Sequence, residues 1–385
     1  MTVTMRRIAA ELGVSITTVS KVLNKHDDIG PDTRARVLAK VAERGYHPNA
    51  VARSLTLRRT HTLGVIVPDL MHSFFVEIVA AVEAVISDRG YGLLVCNLAE
   101  DPVRERVQLE MLLQRQIDGV IMASSTTSSN GDLLRRLGVP GKGLVFIDRD
   151  DHTAIPCHRV LTDDEEVGVL ATSHLIALGH RRIAHIAGPR LVHAHRRARG
   201  YRNAMRKHGL SPEPGWIAAS GFLENQGYES MRQLLQHHPE ITAVFAVNDP
   251  AAIGAMKAAW ELGWRVPEDI SIVGAGDIAH GDLLRVPLTT VSWSRKDLGA
   301  RAATLILDQI ELRPTGPFER IIIPPRLVVR ASSGPPRKEA RLVKKEAKLV
   351  KAVKAARTSS AVHDAAARKT KTGAGRTSTR AGKRR

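Results

Sequence analysis

Cysteine is nearly absent. The 385 residues hold only Cys96 and Cys157, so no disulfide framework is expected and a reducing cytoplasm suits the chain. Cys157-His158 is a lone Cys/His neighbour pair without spaced partners, which argues against a zinc site. Long apolar runs are missing too. No stretch approaches the roughly eighteen residues needed to span a bilayer, and the opening MTVTMRRIAAELG lacks the apolar core of a secretory signal. The sequence therefore predicts neither a membrane span nor export. Catalytic patterns are equally scarce. Serines and histidines are plentiful, yet none sits in a nucleophile elbow or at metal-ligand spacing. Gly274-Ala275-Gly276 is no dinucleotide fingerprint, because the third glycine and a following helix start are missing. Asp163, Asp164, Glu165 and Glu166 read as a favourable helix start rather than a general acid pair.

What is present is an ordinary soluble composition, 43% hydrophobic and 25% charged, long enough for two or three domains. Its net charge of +18 is placed unevenly. Residues 1–61 hold 11 Lys/Arg against 5 Asp/Glu, and residues 334–385 hold 17 against 3. The stretch 62–333 holds 29 against 31 and is close to neutral. Affinity for a polyanion thus belongs to the ends, and the centre must do something else.

Residues 5–24, MRRIAAELGVSITTVSKVLN, read as a helix-turn-helix. Met5, Ile8, Ala9 and Leu12 recur at helical spacing, Gly13 supplies the turn, and Ser15 stands ready to cap a second helix. Val19, Val22 and Leu23 give that helix a buried stripe. Its other face offers Ile16, Thr17, Thr18, Ser20 and Lys21, groups suited to base edges, thymine methyls and phosphates. A third helix follows, with Pro31 at its first position, Val37, Leu38, Val41 and Ala42 as its apolar stripe, and Gly45 at its stop. Pro48 and Asn49 then break and restart the chain, with Asn49 able to cap Ala50–Leu57. That short segment is expected to fold only when packed or bound.

The string Val14-Ser15-x-x-Thr18-Val19-Ser20-x-Val22-Leu23-Asn24 resembles the lac-repressor-like (LacI/GalR) family of bacterial transcription regulators. The likeness continues through Tyr46-His47-Pro48-Asn49-Ala50-Val51-Ala52-Arg53-Ser54-Leu55 and Leu63-Gly64-Val65-Ile66-Val67-Pro68. It returns in Leu178-Gly179-His180-Arg181-Arg182-Ile183, Gly200-Tyr201 and Leu288-Thr289-Thr290-Val291, covering roughly residues 3–331. The resemblance implies a hinge helix over 49–57 that folds against its dimer mate in the minor groove, with Leu55 wedged between base pairs. Candidate DNA contacts are Thr4, Arg6, Arg7, Ser15, Ile16, Thr17, Thr18, Ser20, Lys21 and Asn24 in the head, and Asn49, Ala52, Arg53 and Leu55 in the hinge.

From Thr62 the pattern changes to alternating strand and helix. Leu63–Val67, Gly92–Val95, Gly119–Met122 and Leu144–Ile147 are apolar strands, and a second series follows in Ile183–Ile186, Ala243–Val247 and Ile270–Val273. Helices are expected at 165–178, 195–208, 226–236 and 250–262. Such alternation implies parallel sheets covered on both faces. The expected fold is α/β: an N-terminal all-α helix-turn-helix head, then two doubly wound subdomains that the family likeness identifies as periplasmic-binding-protein-like. The chain is divided into 1–61, 62–333 and a basic, disordered tail at 334–385. The resemblance also implies a late crossing back to the first half near Thr289–Arg301.

Ligands of such sheets bind beyond the carboxyl ends of the strands. Candidate effector contacts are therefore Phe74 and Phe75 after the first run, and Asp148 and Arg149 after the fourth. His195 and Arg197 stand on a basic loop with His193 and Arg196, and Arg197 matches an arginine that family members point at their effectors. Phe222, Asn248, Asp249, Asp277 and Trp293 complete the set, with Asp249 equally a ligand acceptor or a helix cap. Ala275 and Gly276 stand where the family carries an aromatic and an aspartate, and Trp293 where many members carry glutamine, which implies an altered pocket.

The reading is a homodimeric repressor, not an enzyme, that binds a near-palindromic double-stranded operator. A small-molecule effector, a sugar or related metabolite, controls it without cofactor, metal or membrane. A transport binding protein shares the core but has no use for residues 5–24. An α/β enzyme would need a phosphate loop or catalytic set, and a nucleoid-type protein would act through the tail.

Overall fold

The computed structural model describes residues 3–24, 26–46, 54, 59–124, 130–139, 141–149, 154–312 and 316–337. Asn49, Ala52, Arg53, Leu55 and nearly all of the expected hinge helix lie outside the described residues, as does the tail from 338 onward.

Three helices form the head: α1 (Met5–Leu12), α2 (Ile16–Leu23) and α3 (Pro31–Glu43). Ile8, Ala9, Val19, Val22 and Val37 bury together at its centre. Gly13 closes α1 at φ +64°, a conformation that strains any residue with a Cβ. Ser15 caps α2 by accepting the Thr18 N–H at 3.0 Å. Leu38 and Ala42, expected on the buried stripe of α3, instead face solvent. Two eight-residue helices can cover only a narrow strip of α3, and Val37 and Val41, four residues apart, fill it.

Two six-stranded sheets follow. The first has the order β11-β5-β4-β3-β1-β2 and is parallel throughout. Its strands are β1 (Thr62–Val67), β2 (Gly92–Asn97), β3 (Gly119–Met122), β4 (Gly143–Ile147), β5 (His158–Thr162) and β11 (Arg320–Ile323). The second has the order β12-β10-β9-β8-β6-β7, with only β12 antiparallel. Its strands are β6 (Ile183–Ala187), β7 (Ile217–Ala219), β8 (Ala243–Ala246), β9 (Ser271–Ala275), β10 (Thr289–Ser292) and β12 (Arg326–Val328).

Helices cover both faces of each sheet. On the first, α4 (Ser73–Asp88) and α11 (Arg295–Glu311) pack against Leu63, Val65 and Val67. The alternate residue Ile66 faces the other way, toward α5 (Pro102–Gln114) and α6 (Gly131–Leu137). On the second, α7 (Asp164–Ala177) and α8 (Val192–Lys207) cover one face. α9 (Glu224–His237) and α10 (Asp249–Glu261) cover the other, against Ile186, Val244 and Ile272.

The chain passes between sheets three times among the described residues: after β5, after β10 and between β11 and β12. The second passage lies within the expected crossing near Thr289–Arg301, because β10 pairs in the second sheet while α11 packs on the first. Residues 334–337, assigned by composition to the disordered tail, are docked on the second unit. Gly334 exchanges hydrogen bonds with Ser271. Arg337 lies 4.3 Å from the Trp264 ring centroid and donates to the carbonyls of Pro239 and Ile241. Cationic composition marks the run, but its packing starts from Gly334 and Arg337. No helix among the described residues is long and apolar enough to cross a membrane.

Candidate effector cleft and nucleic-acid interface

The carboxyl ends of both sheets face one cleft. The first unit supplies His72, Phe74 and Phe75 at the start of α4, and Asp148 and Arg149 just after β4. The second supplies His193 and Arg197 from α8, Phe222 after β7, and Asn248 and Pro250 at the start of α10. Ala275, Gly276, Ile278 and Trp293, at the ends of β9 and β10, close the floor.

Aromatic rings make most of the wall. Phe74 meets Phe75 edge-on at 5.1 Å and Trp293 at 5.5 Å. His193 stacks on Phe222 at 5.0 Å with 19° between the rings. The arginines are pinned among them. Arg149 forms a fork to Glu100 at 2.8 and 3.0 Å, and its guanidinium carbon lies 5.6 Å from the Phe75 ring and 4.8 Å from the Phe222 ring. One cation thus bridges a ring from each side of the cleft. Arg197 donates to Asp164 at 2.9 Å and to the Val247 carbonyl at 2.8 Å, 5.1 Å from the Trp293 ring.

Burial governs the charges. It drives the Asp164 carboxyl above the usual carboxylate range, against the pull of Arg197. Burial, with Arg149 and Arg197 nearby, keeps the His193 imidazole far below its ordinary value and neutral at physiological pH.

Phe74, Phe75, Asp148, Arg149, Arg197, Phe222, Asn248 and Trp293 are brought together on this lining. His195, Asp249 and Asp277 are not. The expected basic loop is helical: α8 starts at Val192, so His193 and Arg197, four residues apart, share the cleft face while His195 is exposed. Asp249 is buried behind Asn248, accepting from Thr290 Oγ1 at 2.6 Å and the Ile278 N–H at 2.9 Å. Burial raises its carboxyl to about 6, and those two donors oppose the rise. Asp277 faces a second, more polar recess beyond Trp293. There Arg330 at 2.7 Å, with Ser292, holds its carboxyl below the ordinary value despite partial burial.

Sequence reasoning placed His193 on the basic loop but chose His195 instead, and it missed Glu100 and the part played by Asp164, which hold the arginines in place. The signal for His193 was its four-residue spacing from Arg197. Nothing in the sequence tied Glu100 to Arg149, because a 49-residue separation is closed only by the fold. The acidic cluster does begin a helix as expected: Asp163 caps α7 by accepting the N–H groups of Glu165 and Glu166. His158 accepts the Glu319 N–H at 3.0 Å, and Cys157 is buried beside it.

In the head, Ile16 is 42% exposed and Thr17 stands beside it on the free face of α2. Thr18 is tied to Ser15 at 2.8 Å, and Asn24 donates to Ser20 at 3.4 Å. Lys21 pairs with Asp28 on the exposed surface, so a phosphate must compete with that carboxylate. Arg7 pairs with Glu11 at 3.2 Å, whereas Arg6 is exposed. Thr4 caps α1 through the Arg7 N–H at 3.3 Å.

Comparison with known proteins gives matches along the same path. Residues 4–49 match the model of bacterial regulatory proteins of the lacI family, and residues 172–333 match a periplasmic binding protein-like domain. The chain is 37% identical over 336 residues to the HTH-type transcriptional repressor PurR of Haemophilus influenzae (strain PittEE), covering 86% of this chain and 98% of that one. It is 35% identical over 336 residues to the ribose operon repressor of Escherichia coli (strain K12), covering 86% and 99%. A solved lac repressor dimer bound to operator and the anti-inducer ONPF aligns with a TM-score of 0.77 at 27% identity, covering 87% of this chain and all of that one.

Proposed function

The chain belongs to the lacI family of bacterial regulatory proteins, and from that premise we propose that it is a homodimeric transcriptional repressor whose grip on an operator is set by a small metabolite. The observation that carries this reading is the union, in one chain, of a capped two-helix head with a free Ile16–Thr17 face and a cleft between two α/β units. Residues 1–61 form the reading head with its hinge helix over 49–57, and 62–333 the effector core. The boundary of the basic tail moves from 334 to 338, beyond the docked Arg337. Ile16 and Thr17 set base preference. Arg6, Lys21 and Arg53 meet phosphates, and Leu55 serves as the minor-groove wedge.

Dimerisation is supported by apolar side chains left open on the first unit. Val76 on α4, Val95 on the edge strand β2, and Val103 and Val107 on α5 are all exposed. The effector is a sugar or related metabolite that shifts the two units relative to each other, and with them the paired heads. The reading assigns the protein no turnover, and it places the protein in the cytoplasm with its DNA.

Selection of duplexes from a random pool by the full-length chain tests this. The expected product is a near-palindromic site, and Ile16→Ala with Thr17→Ala should change its half-site sequence. A chain that shows no preference over random competitor, with or without metabolites, overturns the proposal.

A further inference from the structure

The cleft lies at the carboxyl ends of the strands. A separate group of side chains gathers at the amino ends of the second sheet. Glu213 precedes the turn Pro214–Trp216 that leads into β7. His238 caps the end of α9, and Glu240 stands two residues on, ahead of β8. β7 and β8 flank β6, so the fold brings the two segments side by side. One donor atom from each of Glu213, His238 and Glu240 lies within 4.8 Å of the others. No sequence pattern announces this trio, because His238-Pro239-Glu240 has no ligand spacing of its own.

His238 Nδ1 and Glu240 Oε1, 3.3 Å apart, would by themselves be an ordinary half-exposed pair. The second carboxylate changes the balance. Two carboxylates this close repel each other, and a cation among them removes that cost. Two of the donors are also held from outside the trio. Trp216 Nε1 donates to Glu240 Oε1 at 3.0 Å. The His238 ring lies over Gly215, where a Cβ would meet Nε2 at 2.0 Å, so glycine at this position is what admits the imidazole. Arg337 braces the same loop, donating to the carbonyls of Pro239 and Ile241 on either side of Glu240. Outer contacts of this kind fix the ligands of metal sites before the ion arrives.

We infer that Glu213, His238 and Glu240 bind a divalent transition-metal ion of the zinc type, with water as its fourth ligand. The donor set selects the ion. Mg²⁺ and Ca²⁺ take oxygen ligands, whereas an imidazole nitrogen beside two carboxylates suits zinc. Ligands about 2.0–2.1 Å from a tetrahedral zinc ion stand roughly 3.4 Å apart. The His238–Glu240 pair already has nearly that separation, at 3.3 Å. Glu213 is exposed and supplies the arm that closes on the ion. The ion stiffens the loop on which Arg337 docks, and with it the point where the basic run leaves the second unit.

Calorimetric titration of the metal-free, full-length chain with zinc chloride and, separately, magnesium chloride tests the inference, with thermal shift as a second readout. Zinc should bind in the micromolar range or tighter, magnesium about a hundredfold more weakly or worse. Zinc should also raise the melting temperature, because it binds the folded chain. Glu213→Gln and His238→Gln should each weaken zinc binding about tenfold or more and remove the rise in melting temperature. Melting curves taken in EDTA establish that each variant folds. Glu213 is exposed, so its variant decides the matter if His238→Gln does not fold. The inference fails if no zinc binds at about 100 µM or if magnesium binds as well as zinc. It fails equally if the folded variants bind zinc as the parent does, which would place the ion on other side chains.

Discussion

Single side chains in the second unit carry measurable consequences. Asp249 was a candidate ligand acceptor or helix cap, and its buried position gives it a different role. Thr290 and Ile278 donate to its two oxygens, and the loop after β9 is tied down through them. Burial raises its carboxyl to about 6 in the folded chain, against about 4 when unfolded. The folded state therefore holds the proton more tightly. Its contribution to stability is complete below about pH 4, falls as pH climbs toward 6, and is level above that. Asp249→Asn removes the titration. Urea midpoints taken from pH 4 to 7 should show the parent losing up to about 3 kcal/mol relative to the variant, all of it between pH 4 and 6. A difference that stays constant with pH would show that Asp249 does not titrate in this window. The sequence marked Asn248-Asp249 as one unit. Which of the two would reach the cleft was decided by the first turn of α10, which no local pattern encodes.

At the level of elements, the crossing of α7 and α8 positions half of the cleft. A Cβ on Gly168 would fall 2.1 Å from the Arg197 carbonyl oxygen, and one on Gly200 would fall 2.0 Å from that of Glu165. The two helices touch backbone to backbone at a pair of glycines. That contact lets Asp164 reach Arg197 at 2.9 Å. Gly200→Ala must push α8 away and carry His193 and Arg197 with it. We expect a loss of about 1–3 kcal/mol in urea unfolding, with weaker effector binding. Gly316→Ala, where open space surrounds the position, should change neither. Equal stability in both variants would sink this account.

The Gly200-Tyr201 motif was visible in the sequence, but its partner Gly168 was not, since helix crossings leave no local periodicity. The strands divide in the same way. β3 and β4 were legible because both faces are buried and every position is apolar or glycine. β7, with three residues, and β12, reading Arg-Leu-Val, exist through pairing with a neighbour and carry too little pattern to be seen alone. In α8, the basic composition suggested a loop, and starting the helix at 195 rather than 192 put the wrong histidine in the cleft. The cleft lies beyond the strand ends, where that rule looks for ligands, because its place depends on topology, and the topology was readable.

The whole molecule is divided by charge. The near-neutral centre carries the cleft, and the cations gather at the two ends. Among the described residues, three passages of chain join the two α/β units, so a ligand that changes their separation must act through those passages. On the proposed reading, selectivity comes from α2 of the head and the tail contributes its charge. These contributions separate under salt. Truncation after Arg337 keeps the docked segment and removes 16 Lys/Arg and 3 Asp/Glu, taking the net charge from +18 to +5. Each phosphate contact abandoned should flatten the slope of log affinity against log salt by about 0.9, for operator and random duplex alike. The ratio between the two affinities should stay within about threefold, because base contacts come from the head. If the truncated chain still binds DNA but no longer prefers its operator, selectivity resides in the tail and the assignment of reading to α2 is wrong. An unchanged salt slope would instead show that the tail's cations do not touch DNA, and would leave Arg6, Lys21, Arg53 and their dimer mates as the phosphate contacts.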